Sequence, residues 1–542
     1  MRTRRLSWTA AMLLSVAAGS ATAQSNADPE VDVSVFSIRA PSSFGREGVF
    51  PTGRSGFAFE TTCCNTGLTE PLWRAPMNRN HPFISFLIAR ERNGRFEQIS
   101  DRSYVKHGIS AANAAGCGNC TQISTTVLGL GCTDTYTAGL NADRFTLGPP
   151  DEINPWEGAW TRRCGLFDRG EPSVGGAQEC DAVRSLTFQM ANSFGPVENR
   201  IEIEDADLDV TGAQFYAMTY YAVAQEPDAN REDNMGHRRV TPNWNGNRWN
   251  WSNNTGLQHG SILERWSGAT VTSATNGNDD GRVYVGVRVT EPTPGTFHYE
   301  YAFHNRDNDR GVGTIRIPFC GDASLANVGF HDVDQDPSNE WTYTVEGNEL
   351  VVTTPDNPLR WNSVHNLWFD TDAAPQAGSL ELFAFDAGPG AGSFAVTGTV
   401  PTGRFERTLP AGCDGAPTLL SNGRATIGNA AFAVSSAGNV PGRLNLLVAS
   451  FGSPGAPDAN LATGGCRVWP SNLGRAPSIV VTGAGGVANH ALPIPNQVGL
   501  EGLDLVLQCY AIQSSAGPRN QRRLVVSDGL VVRLGSVSPG CP

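Results

Sequence analysis

The residues with the types and spacings that chemistry needs fall into separate groups along this chain. The first lies between Ser103 and Trp160, where the chain's one lysine, Lys106, stands beside His107 and is followed by Cys117, Cys120, Cys132 and Asp134. A compact amine loses its proton when buried, which a guanidinium does not, and every other Lys/Arg position is arginine. Codon bias in a GC-rich genome is the simpler source of that arginine excess. Once the cysteines fold the loop back, His107 and Asp134 are candidate acid–base or metal partners, with Lys106 the third catalytic candidate. The alternative is a cystine-tied loop that only holds an irregular surface in place.

A second group is the histidines His298, His304, His331 and His365, which invite a copper or zinc reading. His298 and His304 share a face of one strand but stand roughly 20 Å apart at about 3.3 Å per residue, so they do not share an ion. His304 with His331 or His365 is the remaining metal candidate, although His365 alternates with Leu367 and Phe369 and fits a neutral core histidine. Asp332, Asp334 and Asp336 begin like an oxygen-ligand calcium loop, without the glycine and glutamate an EF-hand uses, and fit a solvated acidic turn equally. Asp279-Asp280 fits a plain turn. Trp244, Trp249 and Trp251 stand among amides in NWNGNRWNWSNN. Exposed tryptophans stack on sugar rings, and tryptophans of a hairpin with an Asn245-Gly246 turn fill a core, so both readings stand.

These groups must be placed by an exported β protein. Arg2, Arg4 and Arg5, an apolar segment to about Ala18 and Ala21-Thr22-Ala23 make a signal peptide over residues 1–23. The apolar core is shorter than the roughly 20 residues a membrane span needs, and no later stretch reaches that length, so the expectation is a soluble secreted, periplasmic or cell-surface protein. Removing the three leader arginines leaves 37 basic against 53 acidic residues, a balance of −16. That sign disfavours nucleic acid and anionic membrane as partners and is compatible with calcium.

All 12 cysteines lie beyond the leader. An even number in an exported chain predicts six disulfides, with eight cysteines to Cys320 and four from Cys413 pairing within their groups. At least one bridge then joins Cys320 to the first half. Cys63 and Cys64, being adjacent, are expected to reach different partners. Cys117-Gly-Asn-Cys120 has the spacing of a structural disulfide, half a zinc ribbon or a redox pair, and all three stay open.

Short apolar runs between Gly-, Pro- and Asn-rich turns predict an all-β chain of tandem antiparallel sandwich or jelly-roll domains with long disulfide-tied loops. The expected divisions are 24–200, 201–402 and 403–542. The run 213–224 is too aromatic for a surface element and predicts a buried strand. RVYVGVRVT and TFHYEYAFHN predict a hairpin with Phe297, Tyr299, Tyr301 and Phe303 on its core face. SLTFQMANS fits a strand or a short helix. AGPGAGSFAVTGTVPTG marks the second domain boundary.

NGRATIGNAAF, ALPIPNQVGLEGLDLVLQCYA and SDGLVV resemble a carboxy-terminal β-sandwich module of exported bacterial multidomain proteins. The KHG segment with its cysteines and LGLGCTDTY resembles another recurring segment of such proteins. The resemblance implies extracellular life and assigns no catalytic residue. G-x-S-x-G, H-E-x-x-H and Walker signatures are absent from the sequence. The expected function is binding, of a glycan or another cell-surface component, or matrix assembly. The alternative is an exported metal-dependent oxidase or hydrolase, using copper, zinc or iron, with its site near His107 or His304.

Overall fold

The densest apolar stretches of the chain find each other. Phe83–Arg92 pairs antiparallel with Gln214–Ala222 along its length, Phe83 opposite Ala222 and Glu91 opposite Gln214. Nearly every residue of both strands is buried, so both faces of their sheet are covered. Ile84, Phe86, Ile88, Ala217 and Tyr221 face one core. Phe83, Leu87, Ala89, Tyr216, Met218 and Tyr220 face another. The run expected as a buried strand is therefore the middle of a stack.

The structure is a computed structural model, and it describes residues 27–535 apart from 173–177, 278–279, 294–295, 321–322, 335, 389, 404–405, 412–414, 424, 453–466, 471–474, 501 and 515–521. The expected signal peptide and Asp279 lie outside the described residues. With 48% strand and 6% helix the protein is all-β. No helix among the described residues is long and apolar enough to cross a membrane.

On one side of the eight-stranded sheet lie the strands Val33–Ile38, Thr61–Asn65 and Cys132–Tyr136. On the other lies the five-stranded sheet built on the hairpin Arg282–Thr293 and Thr296–Asn305. This second sheet turns Tyr284, Ala302 and Val364 toward the first. Its opposite face carries Tyr299, Tyr301 and Phe303 into a core shared with a further five-stranded sheet. The expected aromatic face is thus core, with Phe297 partly buried at its margin. Among the described residues, strands from Glu406 onward pair only among themselves, in sheets of five and three. The strand from residue 214 completes the sheet begun by residue 83.

The open segment near 185–193 is a short helix, Phe188–Asn192, whose first turn is capped by Thr187 Oγ1 accepting from Met190 N–H. The cysteine expectations need correcting. Cys64 bonds Cys117, Cys120 bonds Cys132 and Cys164 bonds Cys180. Cys63 and Cys509 are free and buried, so six disulfides do not form. Successive residues of the strand Thr61–Asn65 point to opposite faces, which sends Cys64 out to Cys117 and Cys63 into the core. No cysteine before residue 181 is left for Cys320, which is disulfide-bonded to a partner outside the described residues. Cys117 and Cys120 have separate disulfide partners, so they form neither a metal ligand pair nor a redox pair.

Candidate functional site: a polar chamber between stacked sheets

Lys106 and His107 are neighbours on the strand Val105–His107 and so face opposite ways. Both are fully buried. Lys106 Nζ donates to Thr146 Oγ1 and lies 5.8 Å from the centre of the Tyr136 ring. Burial pulls its amine down to about 8, against the pull of the Asp143 carboxylate. His107 sits among Phe83, Trp160 and Phe167, with Nδ1 2.9 Å from His81 Nε2. His81 Nδ1 donates to the Asn78 carbonyl at 2.5 Å. A carbonyl only accepts, so His81 Nε2 is an acceptor and His107 Nδ1 carries the proton between the rings. Asp134 accepts from Trp73 Nε1 and from Ala112 N–H, each at 2.7 Å. The three candidates do not converge: Asp134 pins the loop to the core, while Lys106 and His107 serve different layers.

The tryptophans pack. Trp244 and Trp249 are opposite each other across the hairpin Met235–Trp244 and Trp249–Asn253. Trp244 stacks on Phe50 at 4.5 Å and under Arg46 at 4.9 Å. Trp249 is buried and donates to Asp205 at 2.8 Å, and Trp251 meets Phe57 edge-on at 5.4 Å. Trp249 belongs to the core, and Trp244 and Trp251 are partly buried against it.

In the acidic turn, Asp332, Asp334 and Asp336 each accept the N–H two residues on, at 2.9, 2.8 and 2.9 Å. Asn357 and Asn339 occupy the second oxygens of Asp332 and Asp334. His331 is half-buried near the Gln98 carbonyl, whereas His304 is fully buried against Ser261. Their strands are separated by Ser363–Thr371, so the two do not meet. His365 is the core histidine its alternation implies, edge-on to Phe330 and Trp341, and burial lowers it to about 3. Asp280 accepts from Arg310 at 2.9 Å. Among the described residues, no group of three or more His, Cys, Asp or Glu side chains is placed to hold a metal.

The structure instead concentrates polar groups between the eight-stranded sheet and the hairpin sheet. Asp307 Oδ2 accepts from Tyr220 OH at 3.0 Å and Arg231 Nη1 at 2.9 Å, and lies 3.0 Å from Arg306 Nη2. Its other oxygen accepts the Arg282 backbone N–H at 2.8 Å. Burial pushes this carboxyl up, but the Arg306 and Arg231 charges outweigh it and hold it below the usual range. Arg231 also donates to the Glu226 and Trp156 carbonyls, at 2.9 and 2.5 Å. Asp228 bridges Arg282 and Arg306.

Beside this network lie His304 and His237. Tyr284 stacks on His304 at 5.8 Å and gives its hydroxyl proton to Glu232. Burial, then the Arg306 charge, lowers His304 to about 3, and burial with the Arg265 charge does the same to His237. Of this chamber only His304 stood out in the sequence. The available signal was the run HNRDNDR, charged residues continuing directly from a buried strand.

No family model and no curated protein matches the chain. Among solved structures it resembles the pilus adhesin SpaC of Lactobacillus rhamnosus GG, at 14% identity over 40% of this chain and 25% of that one, with a TM-score of 0.17. The chain thus spans a quarter of that adhesin's length. A BcpA variant, the major pilin subunit of Bacillus cereus, matches at 10% identity over 63% and 89% of the two chains, TM-score 0.18. Escherichia coli alpha-2-macroglobulin matches at 11% identity over 94% and 35%, TM-score 0.14. These scores are too low to assign a function, which must rest on the chain's own geometry.

Proposed function

We propose that this chain is an extracellular binding protein of the surface-assembly type, which captures a basic, extended strand of a partner protein. The observation that carries the reading is the strand Thr342–Glu346. It is the outer strand of its sheet, and all of its residues are exposed. Tyr343 and Val345, 48% and 42% exposed, lie opposite Val352 and Leu350, which are buried core residues. The margin of a hydrophobic core is therefore open beside a row of main-chain donors and acceptors, the arrangement that an added strand completes.

Charge sets the class of partner. Between Arg316 and Arg360 the chain has eight acidic residues and no lysine or arginine. Glu346 ends the edge strand, and Asp334, Asp336 and Glu340 are exposed just before it. An incoming strand with alternate apolar residues covers Tyr343 and Val345, and basic residues at the rest meet this field. The three described disulfides suit an oxidising, extracellular location. A sugar-binding role for Trp244, Trp249 and Trp251 has less support, because Trp249 is buried and Phe50 and Arg46 lie against the Trp244 ring. Calcium has less support at the acidic turn, because backbone and asparagine N–H groups already engage its carboxylates.

The test is binding of the immobilised chain to an extended peptide alternating valine with arginine, beside the same peptide with glutamate. The arginine peptide should bind, more weakly at high salt, and Val345→Lys should abolish capture without changing Tm. Equal binding of both peptides, or of wild type and Val345→Lys, would remove the proposal.

A further inference from the structure

A second strand of this chain has the chemistry that the open edge Thr342–Glu346 calls for. Arg475–Val481 is the outer strand of the five-stranded sheet that begins at Glu406, paired on one side with Leu444–Phe451. Among the described residues its backbone forms no hydrogen bond outside that ladder. Ile479 and Val481, 64% and 63% exposed, point to one face, and Leu444, 52% exposed, lies opposite Val481. Ser478 turns the other way, to His490 at 3.1 Å, so the apolar pair faces away from the interior of its sandwich. Isoleucine and valine two residues apart on an open edge are what a strand that stays unpaired avoids.

The main-chain groups of the two edges match. Thr482 N–H donates inward to the Arg443 carbonyl at 2.8 Å, and antiparallel ladders alternate, so Ile479 and Val481 turn their own N–H and C=O outward. On the acidic edge the two-residue turn Gly347-Asn348 closes on the pair Glu346 and Glu349, and the same alternation turns Tyr343 and Val345 outward. Antiparallel pairing with Tyr343 opposite Val481 and Val345 opposite Ile479 lets each pair exchange both its hydrogen bonds and sets all four apolar side chains on one face. Pro477 has no N–H, so the usable edge stops at Ser478.

Charge selects the same alignment. Between Asp458 and Glu501 the chain has Arg467 and Arg475 and no acidic residue, the converse of the stretch between Arg316 and Arg360. With the strands antiparallel, exposed Arg475 comes to the turn end of the acidic edge. There Glu346 and Glu349 both lean on Arg316, at 3.5 and 2.7 Å, two carboxylates to one cation. A parallel alignment would carry Arg475 to the opposite end, away from both glutamates.

We propose that the occupant of the edge Thr342–Glu346 is the strand Arg475–Val481 of a second copy of this chain, an inference that rests on the edge-strand reading and names its partner. The two edges belong to different sheets, so the contact is head-to-tail. A docked pair still offers one free edge of each kind, and further copies add to it.

The test is the mass of the full chain in solution, measured by sedimentation. Wild type should exceed the mass of one chain, grow with protein concentration and shrink as salt rises. Val345→Lys and Val481→Glu change exposed side chains, should keep the wild-type Tm, and should each sediment as single chains. Mixed in equal amounts, they should give a species of twice that mass and nothing larger, because one intact edge of each kind remains between them. A wild type that stays single at every concentration, assembly of either variant alone, or a mixture that stays single overturns the proposal. Binding of the arginine–valine peptide by a chain that stays single overturns this partner while the edge reading stands; absence of both peptide binding and assembly removes the two together.

Discussion

Asp307 is the point at which the structure makes its sharpest energetic commitment. It is fully buried and accepts hydrogen bonds from Tyr220, Arg231 and the Arg282 backbone, with the Arg306 guanidinium within 3.0 Å. In Asp307→Ala two buried guanidinium groups lose their shared carboxylate while their own desolvation persists. Breaking a buried pair in this way costs about 3–5 kcal/mol. Tyr220→Phe removes one neutral donor and leaves the ionic contacts, so it should cost only about 1 kcal/mol. Replacing the whole set, as Arg231→Met with Arg306→Met and Asp307→Leu, removes the charges together and should recover much of the single-variant loss. Urea unfolding followed by tryptophan fluorescence suits the measurement, because Trp156 stacks on Arg231 at 4.8 Å. A multidomain chain can unfold in stages, so the comparison belongs to the transition that Trp156 reports. Equal losses in Asp307→Ala and Tyr220→Phe would refute the claim that this network ties the layers together.

Other groups give separate tests. His298 is bonded to Glu300 at 2.9 Å and Asp370 at 2.6 Å, and these bonds raise its pKa. The stability it contributes is therefore full below the unfolded histidine value and lost as pH rises through the folded one; His298→Phe should flatten that part of a Tm–pH profile. Lys106 shifts the other way: burial lowers it to about 8, so the unfolded chain binds the extra proton above that pH and stability should rise between pH 8 and about 10.5. Lys106→Met should abolish the rise. Replacing Cys120 and Cys132 by serine opens their disulfide and should cost about 2–4 kcal/mol, seen as faster proteolysis of the 113–132 loop.

Much of the fold was legible because burial on both faces leaves a dense apolar strand. The 213–224 run showed it, and so did the aromatic face of Thr296–Asn305. His365 was legible for the same reason, since alternation with Leu367 and Phe369 put it on the core side. Cysteine pairing was not. Parity took Cys63 for half of a bridge, but the pleat turns it inward, and its neighbour alone reaches Cys117. The polar chamber was illegible for a different cause. Arg231 lies in the turn between the strands Gln214–Ala222 and Met235–Trp244 of one sheet, Asp307 just past the strand Thr296–Asn305 of another, and neither local periodicity nor composition records which segments a stack brings together.

His298 and His304 show why residue type and strand face together still leave a site undetermined. They share a face of the strand Thr296–Asn305, yet their surroundings pull their pKa values in opposite directions. The strand runs from the rim of the sheet to the interior of the stack. At the rim, half-buried His298 meets two carboxylates that favour the imidazolium. Inside, His304 meets Tyr284, Ser261 and the Arg306 charge, and burial leaves it neutral. The interval between them, roughly 20 Å at about 3.3 Å per residue, is enough to cross from one electrostatic regime to the other. A strand in a layered protein therefore needs a depth as well as a face, and depth is set by the sheets above and below it.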